Sequence, residues 1–72
     1  MRVMILKNRI KEFRVKAGNI TQEKLARETG VSRQTIVYIE KGKFNPSVKL
    51  AMKIARVLNC KVEDLFTLEA GD

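Results

Sequence analysis

Apolar residues along this chain recur mostly at intervals of three and four, and glycine, proline and hydroxyl residues cut that pattern into five short segments. Ile10, Phe13 and Ala17 define the first helix, predicted over 7–17 and stopped by Gly18, a residue suited to the position just past a helix end. Thr21 is placed to cap a second helix over 22–29, closed by Gly30. Ser32 then opens a third, from Arg33 to about Lys41, with Ile36 and Ile39 as its inward pair and Gly42 at its end. Pro46 cannot lie inside a helix, so Ser47 starts the fourth, whose apolar stripe is Leu50, Ile54, Val57 and Leu58. The fifth, over 62–66, is short, with Glu63 and Asp64 near its positive end.

The two ends of the chain change period. Val3 and Ile5 alternate with Arg2 and Met4, and Phe66 and Leu68 alternate with Thr67 and Glu69. Segments 2–6 and 66–69 therefore read as strands that pair within one chain or across a dimer. The expected fold class is all-α: one five-helix domain over 1–72, with a core at 7–66 and these short terminal strands.

Functional meaning concentrates at 21–42. There a helix, the three-residue turn Gly30-Val31-Ser32 and a second helix follow one another too closely for antiparallel side-by-side packing. The pair must cross steeply, and the second helix then projects from the body as major-groove entry requires. With Ile36 and Ile39 inward, Arg33, Gln34, Val37, Tyr38 and Lys41 share the outward face. Arg33 suits a bidentate pair to guanine, and Gln34 can donate and accept on the edge of adenine. Phosphate and solvent are the plainer alternatives for both side chains. Thr35 and Val37 offer methyl groups to thymine, while bulky Tyr38 reaches either a base or a sugar-phosphate edge. Gln22 and the free N–H groups at its helix start suit a phosphate oxygen, and Lys41 and Lys43 flank Gly42 where a loop could follow the backbone.

Charge agrees with that reading without proving it. The net charge is +7. Its basic excess lies before residue 59, led by Arg2, Lys7, Arg9, Lys11, Arg14 and Lys16, whereas Glu63, Asp64, Glu69 and Asp72 make the tail acidic. A polyanion prefers the first surface; a generally basic, solvated surface is the bland alternative.

Composition narrows the remaining classes. At 44% hydrophobic and 32% charged, the chain reads as neither a disordered tail nor a membrane span. No cleavage-site pattern follows the amino terminus, and one unpaired cysteine fits a reducing compartment, so a cytoplasmic location is expected. With Cys60 alone and no histidine, neither an intrachain disulfide nor a Cys/His zinc site is available. Cys60 reads as a small core residue, and Glu63-Asp64 as helix-end chemistry, not a metal site. No nucleophile–base pair and no phosphate-cradling loop is evident, so no catalysis and no cofactor are expected. A core this small calls for outside support, and self-association is what remains.

The run Thr21-Gln22-x-x-Leu25-Ala26-x-x-x-Gly30-Val31-Ser32-Arg33-Gln34-Thr35-Ile36-x-x-Ile39-Glu40-x-Gly42-Lys43-x-x-Pro46-Ser47 resembles the Cro/C1-type helix-turn-helix regulators, also called the xenobiotic-response-element family. Similarity spans about 7–66, most of the chain, and is nearest the minimal stand-alone members. The resemblance implies a lambda-repressor-like five-helix domain that binds double-stranded DNA as a homodimer. It implies base reading by Arg33, Gln34 and Tyr38, phosphate holding by Gln22, Lys41 and Lys43, and a buried ion pair between Arg14 and Glu40. Three departures stand out. The connection Gly18-Asn19-Ile20-Thr21 is one residue longer than usual and is expected to bulge. Lys61 occupies a position where the family places a Ser or Thr cap, and the six residues before Lys7 lie outside the minimal pattern. Two rival readings share the sequence: an antitoxin or adaptor whose main ligand is a protein, and a restriction-modification controller protein.

Overall fold

The structure, a computed structural model, describes residues 3–71. Five helices follow one another: α1 (Ile10–Lys16), α2 (Gln22–Thr29), α3 (Arg33–Glu40), α4 (Val48–Val57) and α5 (Val62–Leu65). Two strands, β1 (Val3–Asn8) and β2 (Phe66–Gly71), frame them. Every helix gives the core at least one side chain with no more than 2% of its surface exposed: Ile10, Leu25, Ile36 with Ile39, Ile54 and Leu65. The three-and-four spacing of the apolar positions turns one stripe of each helix inward. Phe13 and Ala17 pack only partly against this cluster.

Capping chemistry sets the helix bounds. Thr21, Ser32 and Ser47 each accept the backbone N–H three residues on, from Lys24, Thr35 and Leu50, at 3.0–3.2 Å. Three helices close in one way. Val31 N–H reaches the Ala26 carbonyl, Lys43 that of Tyr38 and Cys60 that of Ala55, at 2.9–3.0 Å. Gly30, Gly42 and Asn59 hold the left-handed residue each closure needs. At Gly30 (φ 75°) this reversal aims the chain into Ser32 and so sets the start of α3.

The chain ends pair within the chain, antiparallel, from Val3 opposite Gly71 to Asn8 opposite Phe66. Arg2, counted in the first alternating segment, lies outside the described residues, as does Asp72. The strand runs further than the sequence pattern implies, and α1 begins at Ile10, not Lys7. Asn8 is the reason. Its side-chain oxygen accepts Ile10 N–H at 3.3 Å, and its amide donates to the Ile39 carbonyl at 3.0 Å. Arg9 N–H donates to the Leu65 carbonyl at 2.8 Å, closing the base of the ribbon on α5. In a helix starting at Lys7 the Ile10 N–H would bond the Leu6 carbonyl instead, so its capture by Asn8 moves the helix start to Ile10. At the other end, Phe66 leaves α5 extended and starts β2.

Lys61 precedes α5 without a side-chain cap, since an ammonium has no acceptor. Asp64 reaches back to accept Lys61 N–H at 3.0 Å and supplies the other half of the motif. No described helix is long and apolar enough to cross a membrane.

Candidate nucleic-acid interface

Burial of Ile36 and Ile39 fixes the roll of α3 about its axis. On the opposite side Arg33, Gln34 and Tyr38 are exposed, Tyr38 at 42%, while Val37 is half-buried. Thr35 is also half-buried, and its hydroxyl lies 2.9 Å from that of Ser32. Lys41 and Lys43 are exposed around Gly42 just past the helix end.

A groove opens between the start of α2 and α3. Lys11, Arg14, Gln22, Arg33, Val37 and Lys41 line it, with Glu23 and Glu40. Four cations against two carboxylates give it an electropositive balance. Arg33, Val37, Gln22 and Lys41 thus stand around one concavity. Gln34 and Tyr38 extend the α3 face beside it, and Lys43 lies in the following loop.

At the back of the groove Arg14 and Glu40 form a close pair. Arg14 Nε donates to Glu40 Oε2 at 2.8 Å and Nη2 donates to Oε1 at 3.1 Å. Both side chains are nearly buried, at 13% and 10% exposure. The third guanidinium nitrogen, Nη1, donates to the Ile20 carbonyl at 3.0 Å, while Ile20 N–H donates to the Arg14 carbonyl at 2.9 Å. The loop between α1 and α2 closes here. Gly18 and Asn19 both take positive φ, at 104° and 59°, and Arg14 clasps the loop that results. Gln22 Nε2 donates to Glu40 Oε1 at 3.3 Å, so its carboxamide is oriented by the same carboxylate. One hydrogen of that amide remains for another acceptor.

Lys11 is the cation that sequence reasoning did not single out. It belonged to a basic run spread around α1, with nothing to say which member faces the groove. Helix phase makes the distinction: Lys11 lies one turn before Arg14 and lines the groove with it, whereas Arg9 and Lys16 pair with Glu12 and sit over the Phe13 ring. The hydrogen bond from Arg9, and the positive charges of Arg9 and Lys16, hold the Glu12 carboxyl below its ordinary pKa. Among the described residues no cluster of three or more His, Cys, Asp or Glu could hold a metal ion. Cys60 is half-buried against the core, and its thiol pKa is raised by burial and then by the Asp64 charge.

A capped helix, a tight left-handed turn and a second capped helix with an outward polar face define a helix-turn-helix domain. The helix-turn-helix family profile matches residues 10–65, and the chain belongs to that family, in its Cro/C1-type branch. Several relatives carry the name "uncharacterized HTH-type transcriptional regulator". One, from Archaeoglobus fulgidus, is 61% identical over 64 residues, covering 89% of each chain. Another, from Methanocaldococcus jannaschii, is 55% identical over 89% of this chain and 96% of its own. A third, from Bacillus subtilis, is 48% identical with the same coverage.

Proposed function

We propose that this protein is a sequence-specific DNA-binding transcriptional regulator that acts in the cytoplasm as a homodimer, with α3 of each protomer in the major groove. One observation carries the reading: the side of α3 turned away from Ile36 and Ile39 presents Arg33, Gln34 and Tyr38 to solvent, beside a cation-lined groove. The helix-turn-helix family membership and the relatives' names as transcriptional regulators support it.

In this reading Arg33 takes guanine O6 and N7, and Gln34 takes the N6/N7 edge of adenine. Val37 and the Thr35 methyl meet thymine methyl groups, and Tyr38 lies along the wall of the groove. Gln22, Lys41, Lys43 and Lys11 hold phosphates, which fix register and supply most of the salt-dependent affinity. A two-fold axis sets the two α3 helices about 34 Å apart, one helical turn of DNA, on a roughly palindromic site. Regulation follows from occlusion or recruitment at a promoter.

The test is selection of bound sequences from random duplex DNA at two salt concentrations. The expected result is one enriched motif with two half-sites about 10 bp apart, bound more weakly as salt rises. Recovery of unenriched sequence at physiological salt would end the reading.

A further inference from the structure

Two parallel stripes run along α4. Val48, Met52 and Ala55, spaced by four and three residues, form an apolar one. Lys49, Lys53 and Arg56 repeat that spacing one residue on and form a cationic bank beside it. Cys60 and Val62 complete a groove on the α5 side. Val48 and Met52 are 77% and 59% exposed, and all three cations are exposed. Among the described residues none of these cations pairs with a carboxylate, whereas Arg9 and Lys16 share Glu12 and Arg14 holds Glu40. No acidic side chain among the described residues lines the groove, and it shares no residue with the one that Lys11, Arg33 and Lys41 line.

We infer that this groove receives an acidic amphipathic helix of another protein, its apolar stripe against Val48 and Met52 and its carboxylates along Lys49, Lys53 and Arg56. A helix presents the matching pattern, because apolar and charged residues each spaced by three and four make two adjacent stripes on one side of a cylinder. The unpaired cations set the sign of the partner's charge. Met52, with its flexible thioether, adapts to the apolar side chains laid on it. Asp64 sets the partner's orientation about its own axis. Its charge reaches Cys60 on the α5 side, where it would repel a carboxylate, so the acidic stripe lies over the α4 bank.

Other anionic occupants fit less well. From Lys49 to Arg56 the helix rises about 10 Å, so the single head group of a small amphiphile cannot reach all three cations. A DNA backbone could span them, but it would set phosphates over Val48 and Met52 and leave that apolar surface without a partner. A second copy related by a two-fold axis would bring the three cations towards their own counterparts. The inference stands apart from the DNA reading, since it uses none of the residues assigned to bases or phosphates.

Fluorescence anisotropy of labelled synthetic peptides against the full chain, at physiological salt, tests the assignment. One peptide is a helix with leucines at three-and-four spacing and a glutamate after each. A second has the same composition in scrambled order, and a third has lysine for every glutamate. The glutamate helix is expected to bind saturably, and the scrambled peptide at least about tenfold more weakly. The double variant Lys49→Glu/Lys53→Glu should bind the glutamate helix at least about tenfold more weakly and gain binding of the lysine helix. Its helical circular dichroism should match the parent, since both positions are exposed. Lys11→Glu/Lys41→Glu, the same charge change in the groove between α2 and α3, should stay within about twofold of the parent, because salt screens charges that the peptide does not touch. Equal binding of ordered and scrambled peptides, equal losses in the two double variants, or no saturable binding would overturn the inference. So would an α4 variant that loses duplex DNA as strongly as the peptide, or one that turns a dimeric parent monomeric, since the cations would then belong to nucleic acid or to a second copy.

Discussion

Arg14 on α1 grips Glu40 at the end of α3 through two nitrogens, at 2.8 and 3.1 Å, with both side chains almost out of solvent. The pair ties the helix that presents Arg33 to the first helix of the fold. Through Gln22 it also reaches the start of α2, so one carboxylate aligns three elements around the groove.

Arg14→Ala should therefore cost much more than the loss of a surface pair. Glu40 would remain as a nearly buried charge with only the Gln22 amide beside it, a situation that costs about 3 kcal/mol or more. Replacing both partners with methionine leaves no orphaned charge, so the double variant should be closer to the parent than either single change. Denaturant unfolding of the parent, both single variants and the double variant measures this. Additive losses would mean the pair is energetically independent of its burial.

Base reading and phosphate holding separate by their salt dependence. Arg33→Ala should relax preference at one base pair by about 1–3 kcal/mol and leave the other positions of the site alone. Lys43→Ala should weaken every sequence alike and reduce the salt slope by about one unit. Titrations of matched and single-mismatch duplexes over a salt series make the comparison. An Arg33→Ala variant with the parent's sequence profile would remove Arg33 from the base-reading role.

Much of the fold could be read in advance because its determinants are local. Thr21, Ser32 and Ser47 cap, Gly30 and Gly42 reverse the chain, and the apolar spacing gives each helix one buried stripe. What escaped was non-local. Asn8 starts α1 late because it bonds to the end of α3, across 31 residues of sequence. A periodicity window around Lys7 holds no trace of that bond. Lys11 was hidden for a similar reason, since the roll of α1 that turns Lys11 to the groove one turn before Arg14 is set by packing of Ile10 against the other helices. Arg14 and Glu40 were coupled only through family resemblance, because spacing alone does not bring positions 14 and 40 together.

Cys60 gives a titration that needs no DNA. Burial, and then the Asp64 charge, raise its thiol pKa, so the thiolate is scarce in the folded protein. Alkylation by iodoacetamide should turn on at higher pH in the folded chain than in denaturant. The linkage has a definite sign. A group whose pKa is raised on folding gives stability that is fully present below the unfolded value and lost as pH rises through the folded one. Cys60→Ala should therefore flatten the decline of stability on the alkaline side. Equal alkylation profiles in native and unfolded protein would contradict it.

Lys61 offers a gain of stability. Its backbone already has the extended cap conformation, φ −89° and ψ 153°, and Asp64 already accepts its N–H at 3.0 Å. The missing part is an acceptor for the first N–H groups of α5. Lys61→Ser should supply one and complete the reciprocal arrangement, adding about 0.5–1 kcal/mol to the unfolding free energy. Lys61→Ala separates the causes, because it removes the same charge and adds no acceptor. If serine and alanine stabilise equally in denaturant unfolding, the gain comes from charge removal. If only serine stabilises, the uncapped end of α5 is a weak joint between the helical body and β2, since Leu65 closes the helix and Phe66 begins the strand. Hydrogen exchange of the Phe66–Gly71 amides should then slow in step with the added stability.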